Sequence, residues 1–162
     1  MDFNLNEERT MLRDMLQRFL AENYDHEARR RLLADGRIYD ADIFAKLAEL
    51  GIIGALFDEA SGGFGGAGFD LSVVFEGLGR AGVIEPLLGN AVLAGGLVAA
   101  LGGDAQQEVG TEVIDGSRIL ALAHSEPTAR FDLDYVLTTA TVDGADVMLT
   151  GVKAHVLNGG AA

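Results

Sequence analysis

The chain has 162 residues, 49% of them apolar, and a formal charge of -13 from 25 acidic against 12 basic residues. That is room for one domain, or for one domain and the beginning of a second, with enough apolar content to bury a core, which excludes disorder for the whole. The acidity repels polyanions, so neither nucleic acid nor an anionic membrane surface is an expected partner, and the lack of cysteine removes disulfide and thiolate chemistry.

The opening MDFNLNEERTML carries no basic leader and no apolar export segment. The longest apolar run, Ala91 to Leu101, is about half of what a bilayer crossing takes, so the expectation is a soluble, cytoplasmic protein. Apolar pairs Met11/Leu12, Met15/Leu16 and Phe19/Leu20 at four-residue steps predict a helix from about Asn6 to Ala21, with Asn6 as its cap and Glu7 and Glu8 at the positive end of its dipole. A second helix is predicted over about Asp25 to Leu33; its cluster Arg29, Arg30 and Arg31 reads as a solvated face or as an anion site. Asp40 opens a third, with Ile43, Phe44, Leu47 and Leu50 at helical spacing and Gly51 suited to the left-handed position after it.

A short apolar stretch, Ile52 to Phe57, leads into SGGFGGAG. From Asp70, the spacing of Leu71, Val74, Phe75 and Leu78 predicts a helix ending near Gly82. Ala91 to Leu101 predicts a helix apolar nearly all round and hence buried in a bundle, with Gly95-Gly96 allowing close approach of a neighbour. Asp104 and Gln107 resemble a capping box that starts a last helix ending near Asp115-Gly116. The period then changes. RILALAH, LDYVLTTATV, ADVMLTG and VKAHVL are rich in strand formers, and Asp143-Gly144 is a hairpin signal of the mirror-turn type. The fold class expected is mainly α: a helical bundle over residues 1-116, followed over 117-162 by the beginning of an antiparallel β domain. Two or three strands cannot stand alone, so the second unit is expected to be incomplete.

The residues alone assign little chemistry. Glycines 62, 63, 65, 66 and 68 are numerous enough to cradle a phosphate, but the stretch lacks a P-loop ending and a strand before it, so loop chemistry is the stronger reading. His26, His124 and His155 share no metal-ligand spacing, and no metal is expected. Ser61, Ser72, Ser117 and Ser125 show no nucleophile elbow. The pairs Asp58/Glu59 and Glu7/Glu8 need no catalytic explanation on an acidic surface.

Two stretches carry a resemblance. LGIIGALFDEASGGFGGAGFD between apolar helices resembles the N-terminal helical domain of acyl-CoA dehydrogenases, and ALAHSEPTARFDLDYVLTTATVDGADVMLTGVKAHVLNGGA is similar to the opening of that family's middle β domain. The divergent pattern looks most like the small subunits of heteromeric bacterial members of the pimeloyl-CoA dehydrogenase kind. The resemblance implies FAD as cofactor, an acyl-CoA as substrate and dehydrogenation across its α and β carbons. It also implies an electron-transfer flavoprotein or another acceptor for reoxidation, and association with homologous or identical subunits.

Residue by residue, the resemblance implies that Leu122, Ala123, His124 and Ser125 run along the flavin ring, with backbone amides and the Ser125 hydroxyl bonded to it. His155, Val156 and Leu157 would lie against the ring where the family carries tryptophan, isoleucine and threonine, so a stacking face shrinks and a hydroxyl is lost. Phe131 stands where the family has a serine near the acyl-CoA. The family base is a glutamate on a C-terminal four-helix domain absent from these residues, so no catalytic residue is expected here, and Glu126 is expected to be structural. A flavin-free structural subunit is the alternative reading, and a relative of different chemistry, of the flavin monooxygenase or nitroalkane oxidase type, is a third.

Overall fold

The computed structural model describes residues 4–66 and 68–162; Met1, Asp2, Phe3 and Ala67, which belong to the N-terminal and glycine-rich stretches of the sequence, lie outside the described residues. Helix α1 runs over Glu7–Asn23, α2 over His26–Ala34, α3 over Ala41–Glu49 and α4 over Gly68–Ala81. A π-helix over Leu88–Gly95 continues as α5, Gly96–Leu101, and α6 spans Asp104–Ile114. Strands β1, Thr139–Asp143, and β2, Asp146–Thr150, form an antiparallel pair with Thr139 opposite Thr150. The chain is mainly helical, with the β-structure at its C-terminal end.

The helix starts are set by local hydrogen bonding. The side chains of Asn6, Asp25 and Asp40 accept from the backbone N–H groups of Arg9, Ala28 and Ile43, satisfying donors that have no partner within the helix. Gly51, at φ +76°, ends the third helix as expected. Leu16 and Leu20 of α1, Phe44 and Leu47 of α3, and Val74 and Leu78 of α4 meet Ile52, Ile53, Phe57, Leu87, Ala91 and Val113 in one core. Helices α1 and α4 pack so closely that a Cβ on Gly77 would stand 2.8 Å from the Leu16 side chain. Their N-terminal ends are tied by Arg9 Nε to Asp70 Oδ1 at 2.7 Å.

That pairing corrects one expectation. Helix α4 begins at Gly68, and Asp70 is a buried member of it, held by a cation 61 positions earlier. In the arginine cluster, Arg30 and Arg31 lie on an exposed face, with Arg30 paired to Glu27 on its own helix, and Arg29 alone departs from that reading: its Nη1 donates to the carbonyl oxygens of Ala81 and Gly82 at 3.1 and 2.6 Å, capping the C-terminal end of α4. Asp104 is the first residue of α6, not its cap; Gly103 precedes it at φ +100°, and its carbonyl accepts from Gln107 N–H. The apolar helix predicted from Ala91 begins at Leu88 in π form and is buried on one side only, with Leu97 and Leu101 46% and 67% exposed. The close approach predicted at its glycine pair falls on Gly95, where a Cβ would stand 2.7 Å from the Phe57 ring.

On the β side, the hairpin turn is where the sequence places it. Gly144 has φ +63° and Ala145 is not left-handed, the pattern of a type II′ turn. RILALAH and VKAHVL join no ladder, VKAHVL being broken by His155 at φ +54°, and β1 starts six residues into LDYVLTTATV. Strand propensity needs a pairing edge to become a strand, and 118–120 instead bond to the helices, through Arg118 N–H to Glu112 O and Leu120 N–H to Asn90 Oδ1.

The glycine-rich segment folds back on the turn before it. Gly63, Phe64, Gly65 and Gly66 donate their N–H groups to the carbonyls of Asp58, Gly54, Phe57 and Ala55 at 2.8 to 3.2 Å. Those amides are taken up by the chain itself, which supports loop chemistry over a phosphate cradle. A Cβ on Gly65 would stand 2.3 Å from the Ala55 carbonyl oxygen, a backbone atom that cannot turn aside. Gly65→Ala is therefore expected to lower unfolding free energy by about 2–3 kcal/mol. Gly79→Ala, in α4 with nothing within 4 Å of the new methyl, is expected to raise it by about 0.5–1 kcal/mol. Denaturant unfolding of the two variants beside the parent checks both signs.

Candidate functional site

The segments predicted to face a cofactor are 33 positions apart at their starts, and the fold places them side by side. Ala154 N–H donates to Ser125 O at 2.9 Å, and Lys153 Nζ donates to His124 O at 3.1 Å. The residue between the two segments that fixes this arrangement is Glu126. Its side chain is 3% exposed and accepts from Leu137 N–H at 2.7 Å, Thr138 N–H at 2.9 Å, Thr138 Oγ1 at 2.7 Å and Lys153 Nζ at 3.0 Å. The Thr138 hydroxyl, together with the Thr138 and Leu137 amides, pulls its pKa down to about 2. One carboxylate thus joins the turn after Ser125, the entry to β1 and the segment leading to His155. Its expected structural role is what the geometry supports, since a carboxylate so strongly stabilised as an anion is a poor proton acceptor.

Around this clamp, Leu122 and Ser125 are half-buried, and Ala123 and His124 are exposed. His155 and Leu157 are exposed and Val156 half-buried, with His155 at φ +54° and Asn158 at φ +57°. Left-handed backbone at a histidine is uncommon. Among the described residues, no N–H group of Leu122–Ser125 or His155–Leu157 donates to another part of the chain. The Ser125 hydroxyl has no partner among them either. In contrast to the glycine loop, this wall presents a row of donors unpaired within the chain, together with the carbonyls of Leu122 and Ala123. That donor set suits the polar edge of a planar heteroaromatic ring, so the residues present fit a flavin. Phe131 is not part of this wall: it comes after Arg130, at φ +54°, in a turn and is 100% exposed.

Two buried polar residues had no part in the sequence reading. Asn90 is 0% exposed within the π-helix, and its Oδ1 accepts from Leu120 N–H at 2.8 Å. Glu85 is buried beside Tyr24, accepts from the N–H groups of Ile84 and Asp40, and is raised above the ordinary carboxylate range by that burial. Burial also pushes Tyr24 up to about 12. Both polar residues interrupt apolar surroundings in the sequence, at Val83-Ile84 and Leu87-Leu88 on one side and Ala91 to Leu93 on the other, and that interruption is the signal available for them. Among the described residues no cluster of three or more metal-ligating side chains occurs, and no helix is long and apolar enough to cross a membrane.

Comparison with known proteins gives concordant matches. Residues 6–110 match the description of the acyl-CoA dehydrogenase N-terminal domain. The acyl-CoA dehydrogenase IpdE2 of Mycobacterium tuberculosis is 35% identical, across 92% of this chain and 43% of its own length. The butyryl-CoA dehydrogenase structure from Megasphaera elsdenii superposes with a TM-score of 0.80 at 28% identity, over 100% of this chain and 44% of that one. A chain of the ChsE4-ChsE5 complex from Mycobacterium tuberculosis superposes with a TM-score of 0.79 at 26% identity, over 96% and 42%. The chain thus spans less than half of the length of each.

The clamp makes a pH prediction with a definite sign. A carboxylate whose folded pKa is depressed contributes stability that is present above its ordinary value of 4.5 and is lost as pH falls through about 2. The Thr138 amide resonance is expected to titrate near that lower value, and Glu126→Gln is expected to abolish the titration and to speed exchange of the Leu137 and Thr138 amides by about tenfold. A midpoint near the ordinary 4.5 would contradict the clamp.

Proposed function

The chain belongs to the acyl-CoA dehydrogenase family, and on that premise we propose that it forms one wall of the flavin site in an FAD-dependent acyl-CoA dehydrogenase subunit. The reaction is removal of a proton from the α carbon of an acyl-CoA thioester with departure of hydride from the β carbon. FAD, when bound, supplies the acceptor for that hydride. The observation that carries the reading is the side-by-side placement of 122–125 and 155–157 with their backbone donors unpaired within the chain.

In this reading the amides of Leu122, Ala123, His124 and Ser125 and the Ser125 hydroxyl hold the polar edge of the ring, and His155, Val156 and Leu157 lie against it. Phe131, fully exposed, is left for the acyl-CoA side. The proton acceptor is supplied outside these residues, because the carboxylate nearest the wall, Glu126, is committed to the Leu137, Thr138 and Lys153 contacts that keep it ionised. The division into a helical unit over 1-116 and a β unit over 117-162 belongs to the same reading. So do an electron-transfer flavoprotein or other acceptor for the two electrons, and a homologous or identical partner subunit. The similarity to a chain of the ChsE4-ChsE5 complex supports that partner.

A second reading is a structural subunit without flavin. It is favoured by the missing hydroxyl at Leu157. The visible absorbance spectrum of the purified full-length protein, alone and with its partner subunit, separates the two: a flavin band is expected, and a colourless protein in both states would leave the structural role. Ser125→Ala is expected to weaken FAD roughly three- to tenfold, the loss of one net hydrogen bond; unchanged affinity would remove the hydroxyl from the site.

A further inference from the structure

The π-helix Leu88–Gly95 lies beneath both segments of the proposed flavin wall, and it reaches each through a different residue. Asn90 Oδ1 accepts the Leu120 N–H at 2.8 Å, two residues before the first segment begins. Gly89, one position earlier, leaves room for the end of the second: a Cβ there would stand 2.7 Å from Asn158 Oδ1 and 3.2 Å from the Leu157 carbonyl oxygen. A π-turn carries one residue more per turn than an α-turn and so rotates the residues after it, and such turns occur frequently at functional sites. Asn90, the third residue of this π-helix, is 0% exposed and stands directly before the apolar run Ala91 to Leu93.

For stability alone Asn90 is a poor residue. Its Nδ2 is buried and has no hydrogen-bond partner among the described residues, which costs free energy that an apolar side chain of similar volume would not incur. What an apolar residue could not do is accept the Leu120 amide. We infer that Asn90, with Gly89 beside it, is a positioning residue for flavin binding, setting the height of both segments against the ring from a single turn of helix. This rests on the flavin reading above. Asn90 touches neither ring nor substrate; it acts through Leu120, and Gly89 acts through Leu157 and Asn158.

The test uses the full-length protein in its native assembly. Asn90→Leu removes the acceptor, Asn90→Asp keeps an oxygen at the same position, and Gly89→Ala presses on the second segment without touching the first. Asn90→Leu is expected to weaken FAD about tenfold and to shift the visible band of the flavin that still binds. Asn90→Asp is expected to restore both affinity and band position, and Gly89→Ala to weaken FAD several-fold while leaving thermal stability unchanged. In flavin-free protein, Asn90→Leu is expected to speed exchange of the Leu120 amide, which loses its acceptor, while the exchange of α1 and α4 stays as in the parent. That last readout is independent of flavin: a parent protein that binds no FAD overturns the flavin reading alone, whereas unchanged exchange of the Leu120 amide overturns the inference. Parental FAD affinity and band position in Asn90→Leu, or an Asn90→Asp as defective as Asn90→Leu, would overturn it as well.

Discussion

The β end of this chain depends on one buried carboxylate. Two strands alone bury little, and both strands of the hairpin are exposed along their length. Nothing in the hairpin itself would fix where it stands relative to the helices. Glu126 ties it to the segment that leaves the helices at 118–120, by accepting from two successive backbone amides, a hydroxyl and an ammonium drawn from 137, 138 and 153. Charge-assisted bonds of this kind are stronger than neutral ones and directional, so a single side chain sets the entry to β1 and the exit from β2 together. The exit strand then meets 122–125 through Ala154 and Lys153.

The helical end solves a different problem with a different set of hydrogen bonds. Between α3 and α4 the chain turns on 3₁₀ segments, Gly54–Leu56 and Glu59–Ser61, and the glycines at 63, 65 and 66 let a second strand of backbone lie directly on the first. Every amide from Gly62 to Gly66 is bonded there. The wall at 122–125 and 155–157 is the opposite case. Backbone donors left unpaired within a chain are bonded by water or by a ligand, and a row of them beside two left-handed residues is the feature on which the proposed flavin wall rests.

Local signals in the sequence are legible because they act locally. Asn6, Asp25 and Asp40 each begin a helix within three residues, Gly51 and Gly116 each end one at positive φ, and Asp143-Gly144 turns a hairpin. The spacing of Leu71, Val74, Phe75 and Leu78 puts the start of α4 at Asp70, two residues late, and the partner that holds Asp70 inside the helix, Arg9, is 61 positions away. The π-turn is invisible to a 3.6-residue period, and an apolar run such as Ala91 to Leu101 does not say which of its leucines will stay exposed. RILALAH and VKAHVL have the composition of strands, but their neighbours here are a helix and each other at a single bond. For the site, the family resemblance chose the segments; that they touch, that their donors are unpaired, and that Glu126, Asn90 and Glu85 are buried needed the fold.

In the proposed flavin site, 122–125 and 155–157 act as one surface. Amide hydrogen exchange of the full-length protein with and without FAD tests this most directly. Both segments are predicted to gain protection together on adding FAD, while the Gly62–Gly66 amides do not change. Protection of one segment without the other, or of neither in a protein that carries a flavin band, would contradict it.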